Sequence, residues 1–266
     1  MRNCRMTAGG SLGLILAAAM VAFIQGCAGV GNSGGTAGTY DGPVRQMGNG
    51  RAYTFVTLDA AGKPTAIGIR MSEAVLSGLP TGLTHDGHAG EYVLSLPKEA
   101  ETSGYNHVEI DWNPKGHPPP GVYDIPHFDF HFYLISPEQR NRITAKGDDL
   151  ARTHKAPAPD FMPEGYILPE GTEVPRMGAH AVDPASPEFH KRVFTKTFVY
   201  GFYDGSMAFL EPMATRAFLE TKPNVTDPVK LPKAYARQAY YPTRYSVKYD
   251  GARREYVISL EDLIYR

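Results

Sequence analysis

Residues 126–133 read Pro-His-Phe-Asp-Phe-His-Phe-Tyr, so aromatic side chains alternate with side chains that bind protons or metals. Successive side chains of a β-strand point to opposite faces of its sheet, and the phenylalanines are therefore expected to enter a core. His127, Asp129 and His131 then share the other face. The pattern predicts a strand that packs into a core on one side and carries a polar site on the other.

The composition favours many short strands over long helices. The chain has 22 prolines, 28 glycines, 16 tyrosines and 12 phenylalanines, and aromatic residues separated by frequent turn formers are typical of β structure. Short helices are expected at residues 71–79, 137–150 and 214–220. We predict a mainly β fold, an antiparallel sandwich or barrel-like sheet with a few short helices.

One hairpin has a register that can be worked out from the sequence. Asp204-Gly205 separates two strand patterns and is a strong two-residue turn signal. Pairing Tyr203 with Ser206 places Phe198 opposite Glu211. The prediction puts Glu211 on a face that is otherwise aromatic.

The N-terminus has the plan of an export signal. Arg2 and Arg5 precede an apolar run at residues 12–23, which is too short to span a membrane comfortably. Residues 24–26, just before Cys27, resemble a bacterial lipobox, in which the cysteine is lipidated and becomes the new N-terminus. A lipid on Cys27 would attach the protein to the periplasmic face of the outer membrane or to the cell surface.

We predict three segments: a signal peptide at residues 1–26, a flexible tether at 27–39 and a single mainly β domain at 40–266. The tether is rich in glycine and has little apolar surface to bury. The alternative is an ordinary secretory signal cleaved near Ala28, or an uncleaved anchor.

Charge and cysteine content exclude several classes of function. Net charge is −1, with 27 basic and 28 acidic residues well mixed, so no footprint for nucleic acid is present. Both cysteines, Cys4 and Cys27, precede the predicted domain, which excludes disulfides and thiolate zinc sites there. The sequence also lacks a glycine-rich phosphate loop, a nucleophile elbow and a Cys-x-x-Cys pair.

The polar face of the strand at residues 126–133 is a candidate metal site. Along a strand, residues i and i+2 are about 7 Å apart and i and i+4 about 13 Å apart. Asp129 can therefore share one ion with His127 or with His131, but not easily with both. His180 and Glu211 are the best donors of a third ligand. Two imidazoles and one carboxylate suit zinc or another divalent transition metal and leave positions open for water or substrate.

Other residues are expected to orient these ligands. They are His117, Tyr133 and Asp183. The prolines after His117 restrict its backbone and would aim its ring toward the strand. Two alternatives stay open: His127 and His131 donate hydrogen bonds in a buried polar seam in which Asp129 fixes their tautomers, or a metal-free acid/base site uses His131 with Tyr133 or Glu211.

Three further features are weaker. His85 and His88 flank a glycine-bearing turn and form a second metal-like pair. Trp112 is either a sugar-stacking platform or a core residue. The proline-rich segment at residues 156–175 is long and irregular, as binding loops often are.

Several segments together resemble an uncharacterised family of bacterial exported proteins. They are the Gly-His-x-Pro motif at residues 116–119, the strand at 126–133 and the Met-Gly-x-His-x-x-Asp motif at 177–183. The resemblance covers most of the predicted domain and implies that these segments belong to one domain type. The family is a domain of unknown function, so the resemblance implies no catalytic residue.

We therefore expect an exported lipoprotein domain that binds a divalent transition metal, with metal-dependent hydrolysis or lyase chemistry in which Glu211 or Asp129 is the base. The alternative is a non-enzymatic envelope protein that binds a small molecule, glycan, peptide or protein through its aromatic faces and the loop at 156–175. A structural homo-oligomer is the third alternative.

Overall fold

The computed structural model describes residues 36–82 and 89–266, and these residues belong to one compact unit. Within the described residues the strands form two seven-stranded sheets and one two-stranded pair, and every pairing is antiparallel. Helices are few and short. The predicted mainly β, antiparallel fold is confirmed.

Strands and helices are numbered in chain order. In spatial order the first sheet contains β1 Gly38–Asp41, β3 Gly50–Leu58, β4 Pro64–Ser72, β15 Glu255–Glu261, β14 Arg244–Asp250 and β12 Asn224–Pro228, with β2 Arg45–Met47 paired to β3. The second sheet contains β5 Gly90–Ser95, β6 His107–Asn113, β7 His127–Tyr133, β11 Ser206–Thr215, β10 Lys196–Tyr203, β9 Gly178–Ala181 and β8 Glu173–Val174. The small pair is β13 Tyr240–Tyr241 with β16 Ile264–Tyr265. The α-helices are α1 Pro137–Asn141, α2 Leu150–Thr153 and α3 Arg216–Glu220.

The main core lies between the two large sheets. Val56 and Ile258 of the first sheet belong to the same buried cluster as Phe130 and Phe202 of the second. As predicted, the phenylalanines of β7 enter this core. Trp112 is buried in it too, so its core interpretation is confirmed. The histidines and the aspartate of β7 consequently lie on the opposite face of the second sheet.

A β-bulge in the β10–β11 hairpin changes the predicted register. Tyr203 pairs with Ser206 as expected, but the register then shifts, so that Val199, and not Phe198, pairs with Glu211. Such a bulge inserts one extra residue and turns the side chains that follow to the other face of the sheet. The prediction that Glu211 shares a face with Phe198 is therefore wrong. Glu211 instead joins the face that carries the histidines of β7.

The helices are shorter than predicted. Residues 71 and 72 still belong to β4, where Met71 pairs with Tyr256 of β15, and only a 3₁₀ turn at Glu73–Leu76 follows. The helix expected at 137–150 is divided into α1 and α2 with a loop and a 3₁₀ turn between them. Burial of Met71 in the core favours the strand over the helix that local pattern suggests.

Two groups of sequence predictions fall outside the described residues. They are the export signal with Cys27 and the pair His85 and His88. The end of the predicted tether is described, and there β1 begins at Gly38 and pairs with β3. In the described part of the chain, no helix is both long and apolar enough to cross a lipid bilayer.

Candidate metal centre

The outer face of the second sheet gathers the predicted ligands. Across the β6–β7 ladder, Glu109 pairs with His131 and Asp111 pairs with Asp129. The bulge in the neighbouring hairpin brings Glu211 beside His131. All five side chains are at most 2% exposed. Charged groups buried this deeply are stable only when counter-charges or hydrogen bonds compensate them.

His117, His127 and Asp129 form a group that we call the loop cluster. His117 comes from the loop between β6 and β7, and the other two come from β7. The Nε2 atom of His127 lies 3.2 Å from Oδ1 of Asp129, and the Nε2 atom of His117 lies 3.4 Å from Oδ2. Asn113 donates a hydrogen bond of 2.7 Å to Oδ2 and fixes the carboxylate. Each imidazole therefore faces its own carboxylate oxygen.

His131, His180 and Glu211 form a second group, the strand cluster, because all three lie on strands. They belong to β7, β9 and β11. The Nε2 atoms of His131 and His180 lie 3.5 Å and 3.6 Å from Oε2 of Glu211. The other nitrogen of His131 lies 3.6 Å from Oδ2 of Asp111. Two imidazoles thus converge on a single carboxylate oxygen.

Backbone carbonyls fix the tautomer of three of these histidines. The Nδ1 atoms of His117, His127 and His180 donate hydrogen bonds of 2.8, 2.6 and 2.9 Å to backbone carbonyls. A carbonyl can only accept, so Nδ1 carries the hydrogen, and in a neutral ring Nε2 presents a lone pair toward the carboxylate. This is the arrangement that orients metal-binding histidines in proteins, where the outer nitrogen donates to a carbonyl or a carboxylate.

The separations in both clusters are compatible with two ligand atoms that share one ion. Hydrogen bonds from nitrogen to oxygen are usually about 2.9–3.0 Å long. Among the described residues, Nε2 of His127, Oδ1 of Asp129 and Oε2 of Glu211 are buried without a hydrogen-bond partner. Two ligand atoms that share a tetrahedral ion at about 2.1 Å lie about 3.4 Å apart. The observed 3.2–3.6 Å agrees with that spacing.

The two carboxylates have opposite pKa shifts. Burial raises the pKa of Glu211 well above its usual value, and the nearby Asp129 and Asp111 raise it further. Burial also raises the pKa of Asp129, but His127 and His117 outweigh burial and bring that pKa well below its usual value. A metal entering the strand cluster would therefore compete with a proton on Glu211.

An ion-pair network borders the strand cluster. Arg140 donates to Glu109 and, at 2.5 Å, to Glu91, and Arg176 also donates to Glu91 at 2.6 Å. Burial raises the pKa of Glu109 to about 7 even though Arg140 lowers it. His131, Asp111 and Glu109 also lie close enough to share an ion. The contact with Arg140 gives Glu109 a cationic partner of its own, which disfavours its use as a ligand.

The remaining predicted residues lie around or away from the clusters. Tyr133 stacks on His107 with ring centroids 4.7 Å apart, and its hydroxyl points at the carbonyl of Arg176. Asp183 forms an ion pair of 2.6 Å with Lys230. The structure divides the five predicted ligands between two clusters and adds His117, which the sequence presented only as an orienting residue.

One pattern in the sequence could have indicated the site residues of β6, which the sequence analysis missed. β6 alternates as β7 does, with His107, Glu109, Asp111 and Asn113 separated by apolar residues. Its polar face therefore predicts a second row of site residues, provided that β6 pairs beside β7. Nothing local to the sequence indicates that Arg140 of α1 reaches this face.

Comparison with protein families gives a match to part of the chain. A family model described as TTHB210-like, Hypothetical protein TTHB210, matches residues 59–112, which run from the end of β3 to β6. This part contains Asp111 and Glu109 but none of the six residues of the loop and strand clusters. No curated protein and no solved structure matches the chain. Over residues 59–112 the chain is thus similar to a family of uncharacterised proteins.

Proposed function

We propose that this protein binds divalent transition metals, with one ion in the loop cluster and one in the strand cluster. The observation that carries the proposal is the same in both places: two imidazoles and one carboxylate offer ligand atoms that all lie within 4.8 Å of one another. Three of the four histidines are held in the tautomer that leaves Nε2 for the metal. Imidazole and carboxylate ligands favour zinc, with copper, iron and nickel as alternatives.

Metal-dependent hydrolysis or lyase chemistry remains the proposed use of such a centre. A bound divalent ion lowers the pKa of a coordinated water and makes it a nucleophile near neutral pH. The sequence offered Asp129 and Glu211 as bases. Under this proposal both are ligands, whereas Asp111 lies 3.6 Å from His131 and belongs to neither cluster. Asp111 is therefore the better candidate base.

Elemental analysis of the purified protein without a histidine tag tests metal binding. We expect two equivalents of metal per chain after dialysis, and one equivalent in each of the variants His127→Ala and His180→Ala. The double variant should retain none. His190→Ala is the matched control, because the ring of His190 bonds to the carbonyl of Pro184 and belongs to neither cluster, so both ions should stay in place. Full metal content in the double variant would refute the assignment of both sites.

We also propose that the protein is exported and anchored through a lipid on Cys27. The proposal is supported by the basic, apolar and lipobox-like order of residues 2–27. Mass spectrometry of the mature N-terminus tests it, and an acylated Cys27 is expected in the wild type. The Cys27→Ser variant of the protein should be lost from the membrane fraction. A mature chain that begins elsewhere and carries no lipid would contradict the anchor.

A surface groove supports the alternative function of partner binding. It has a volume of about 520 Å³ and lies where the predicted binding loop meets residues 231–233. Pro159, Met162 and Tyr166 supply apolar lining, and Lys233 supplies a charge. A glycan or peptide array tests this alternative. Binding that is abolished by Tyr166→Ser and unaffected by His127→Ala would favour it over the metal sites.

A further inference from the structure

The two clusters are built on supports of different rigidity. All three residues of the strand cluster lie on paired strands of one sheet. In the loop cluster His117 belongs to the segment 114–126, which connects β6 to β7 outside the ladder. Loops open locally at much lower free energy than paired strands do. A metal in the loop cluster can therefore lose one ligand without any strand separating.

The exposed fractions of the histidine side chains also make the loop cluster the more accessible of the two. The His117 side chain is 32% exposed, whereas His180, the most exposed member of the strand cluster, is 17% exposed. The other four members of the two clusters are nearly fully buried. Solvent and small ligands therefore reach the loop cluster through His117 more readily than they reach the strand cluster.

The two clusters differ in the number of carboxyl groups that lie near them. The loop cluster contains one carboxylate, Asp129, and one of its oxygens also accepts a hydrogen bond from Asn113. The strand cluster contains Glu211 and has Asp111 within 3.6 Å of His131. A divalent ion held by the single carboxylate of the loop cluster retains a net positive charge. A buried net positive charge attracts an anionic ligand.

From these three differences we infer that the loop cluster holds an exchangeable metal whose open positions take a small oxyanion, such as phosphate or a carboxylate, and that the strand cluster holds a slowly exchanging metal with a structural role. This inference rests on the proposed metal binding. It assigns the reactive position to the metal held by His117, His127 and Asp129.

Cobalt(II) tests the inference, because its visible spectrum reports changes in its ligands. The protein is loaded with Co²⁺, and its removal by excess pyridine-2,6-dicarboxylate is followed in time. We expect two phases that each release about one equivalent of cobalt. Their rates should differ by about tenfold or more, because local opening of the loop is enough to free the metal of the loop cluster. The fast phase should be absent from His117→Gln and the slow phase absent from His180→Gln. His190→Gln should retain both.

Inorganic phosphate provides the second readout. Its addition should change the cobalt spectrum of the wild type and of His180→Gln, and should leave that of His117→Gln unchanged. A single removal phase, or a phosphate response that persists in His117→Gln, would overturn the inference. A wild-type protein that binds no cobalt would refute the proposed function itself. The wild type and His117→Gln are enough to test the inference even if His180→Gln fails to fold. His117 lies in a loop, so its replacement interrupts no strand.

Discussion

Replacement of Gly201 by alanine is expected to destabilise the protein and to disturb the strand cluster. Gly201 lies in β10 at the bulge, and the Phe209 ring crosses the position where a side chain would project. A Cβ atom there would be 2.0 Å from Cε1 and 2.1 Å from Cζ of Phe209. The ring would have to retreat by about 1.4 Å to reach the shortest ordinary contact of 3.4 Å.

The Phe209 ring has little room to retreat. It is fully buried, and the rings of His131, Tyr133 and His180 lie 4.9, 5.2 and 5.4 Å away, centroid to centroid. Overpacking of this kind costs about 1–3 kcal/mol. Alanine gains roughly 0.5–1 kcal/mol over glycine within a strand, which offsets part of that cost. We therefore expect a net loss of about 1–2 kcal/mol in the free energy of unfolding.

Urea unfolding of the metal-free protein measures this loss. Gly82→Ala is the matched control, because a Cβ atom at Gly82 meets no heavy atom of the described residues within 4 Å, and it should change stability by less than about 0.5 kcal/mol. The double variant Gly201→Ala with Phe209→Leu should be more stable than the sum of the single effects predicts. Wild-type stability of Gly201→Ala, or strict additivity in the double variant, would refute the reasoning. In the metal-loaded protein, the same substitution should release the strand-cluster metal first.

Three further predictions concern buried polar residues. Burial lowers the pKa of His107 to about 4, so as pH falls below about 6.5 the imidazole is protonated in the unfolded chain before it is protonated in the folded one, and stability declines until the pH reaches the folded pKa. His107→Phe, which keeps a ring against Tyr133, should remove about 2–3 kcal/mol of the stability difference between pH 7 and pH 4 in urea unfolding. Arg140→Met leaves Glu109 buried without its arginine and should cost about 3–5 kcal/mol, whereas adding Glu109→Gln should recover part of that loss; equal stability of the single and double variants in thermal unfolding would contradict the pairing. Thr215 accepts a hydrogen bond of 3.1 Å from the backbone N–H of Phe218 at the start of α3, so Thr215→Ala should lower the free energy of unfolding by about 1 kcal/mol while Thr215→Ser leaves it nearly unchanged.

Much of the fold was predictable because the strand patterns are strong and local. Alternation in β7 and turn signals such as Asp204-Gly205 identified most long strands and the antiparallel class. The shortest strands were missed, since β2, β8 and β16 contain only two or three residues and carry no period of their own. The bulge in β11 was missed because its position depends on contacts of Gly201 and Phe209 across the sheet. That one extra residue turns Glu211 to the outer face.

The sequence by itself determined which side chains share a face of β7, because the strand has a period of two residues. It also indicated that His127 and His131 cannot easily share one ion with Asp129, because the two histidines lie about 13 Å apart along a regular strand. Only the tertiary structure decided the partner of each histidine. His117 arrives from a loop and His180 and Glu211 from strands far along the chain. Such contacts depend on strand order, on the bulge and on loop path, which are set by the packing of the whole domain and not by neighbouring residues.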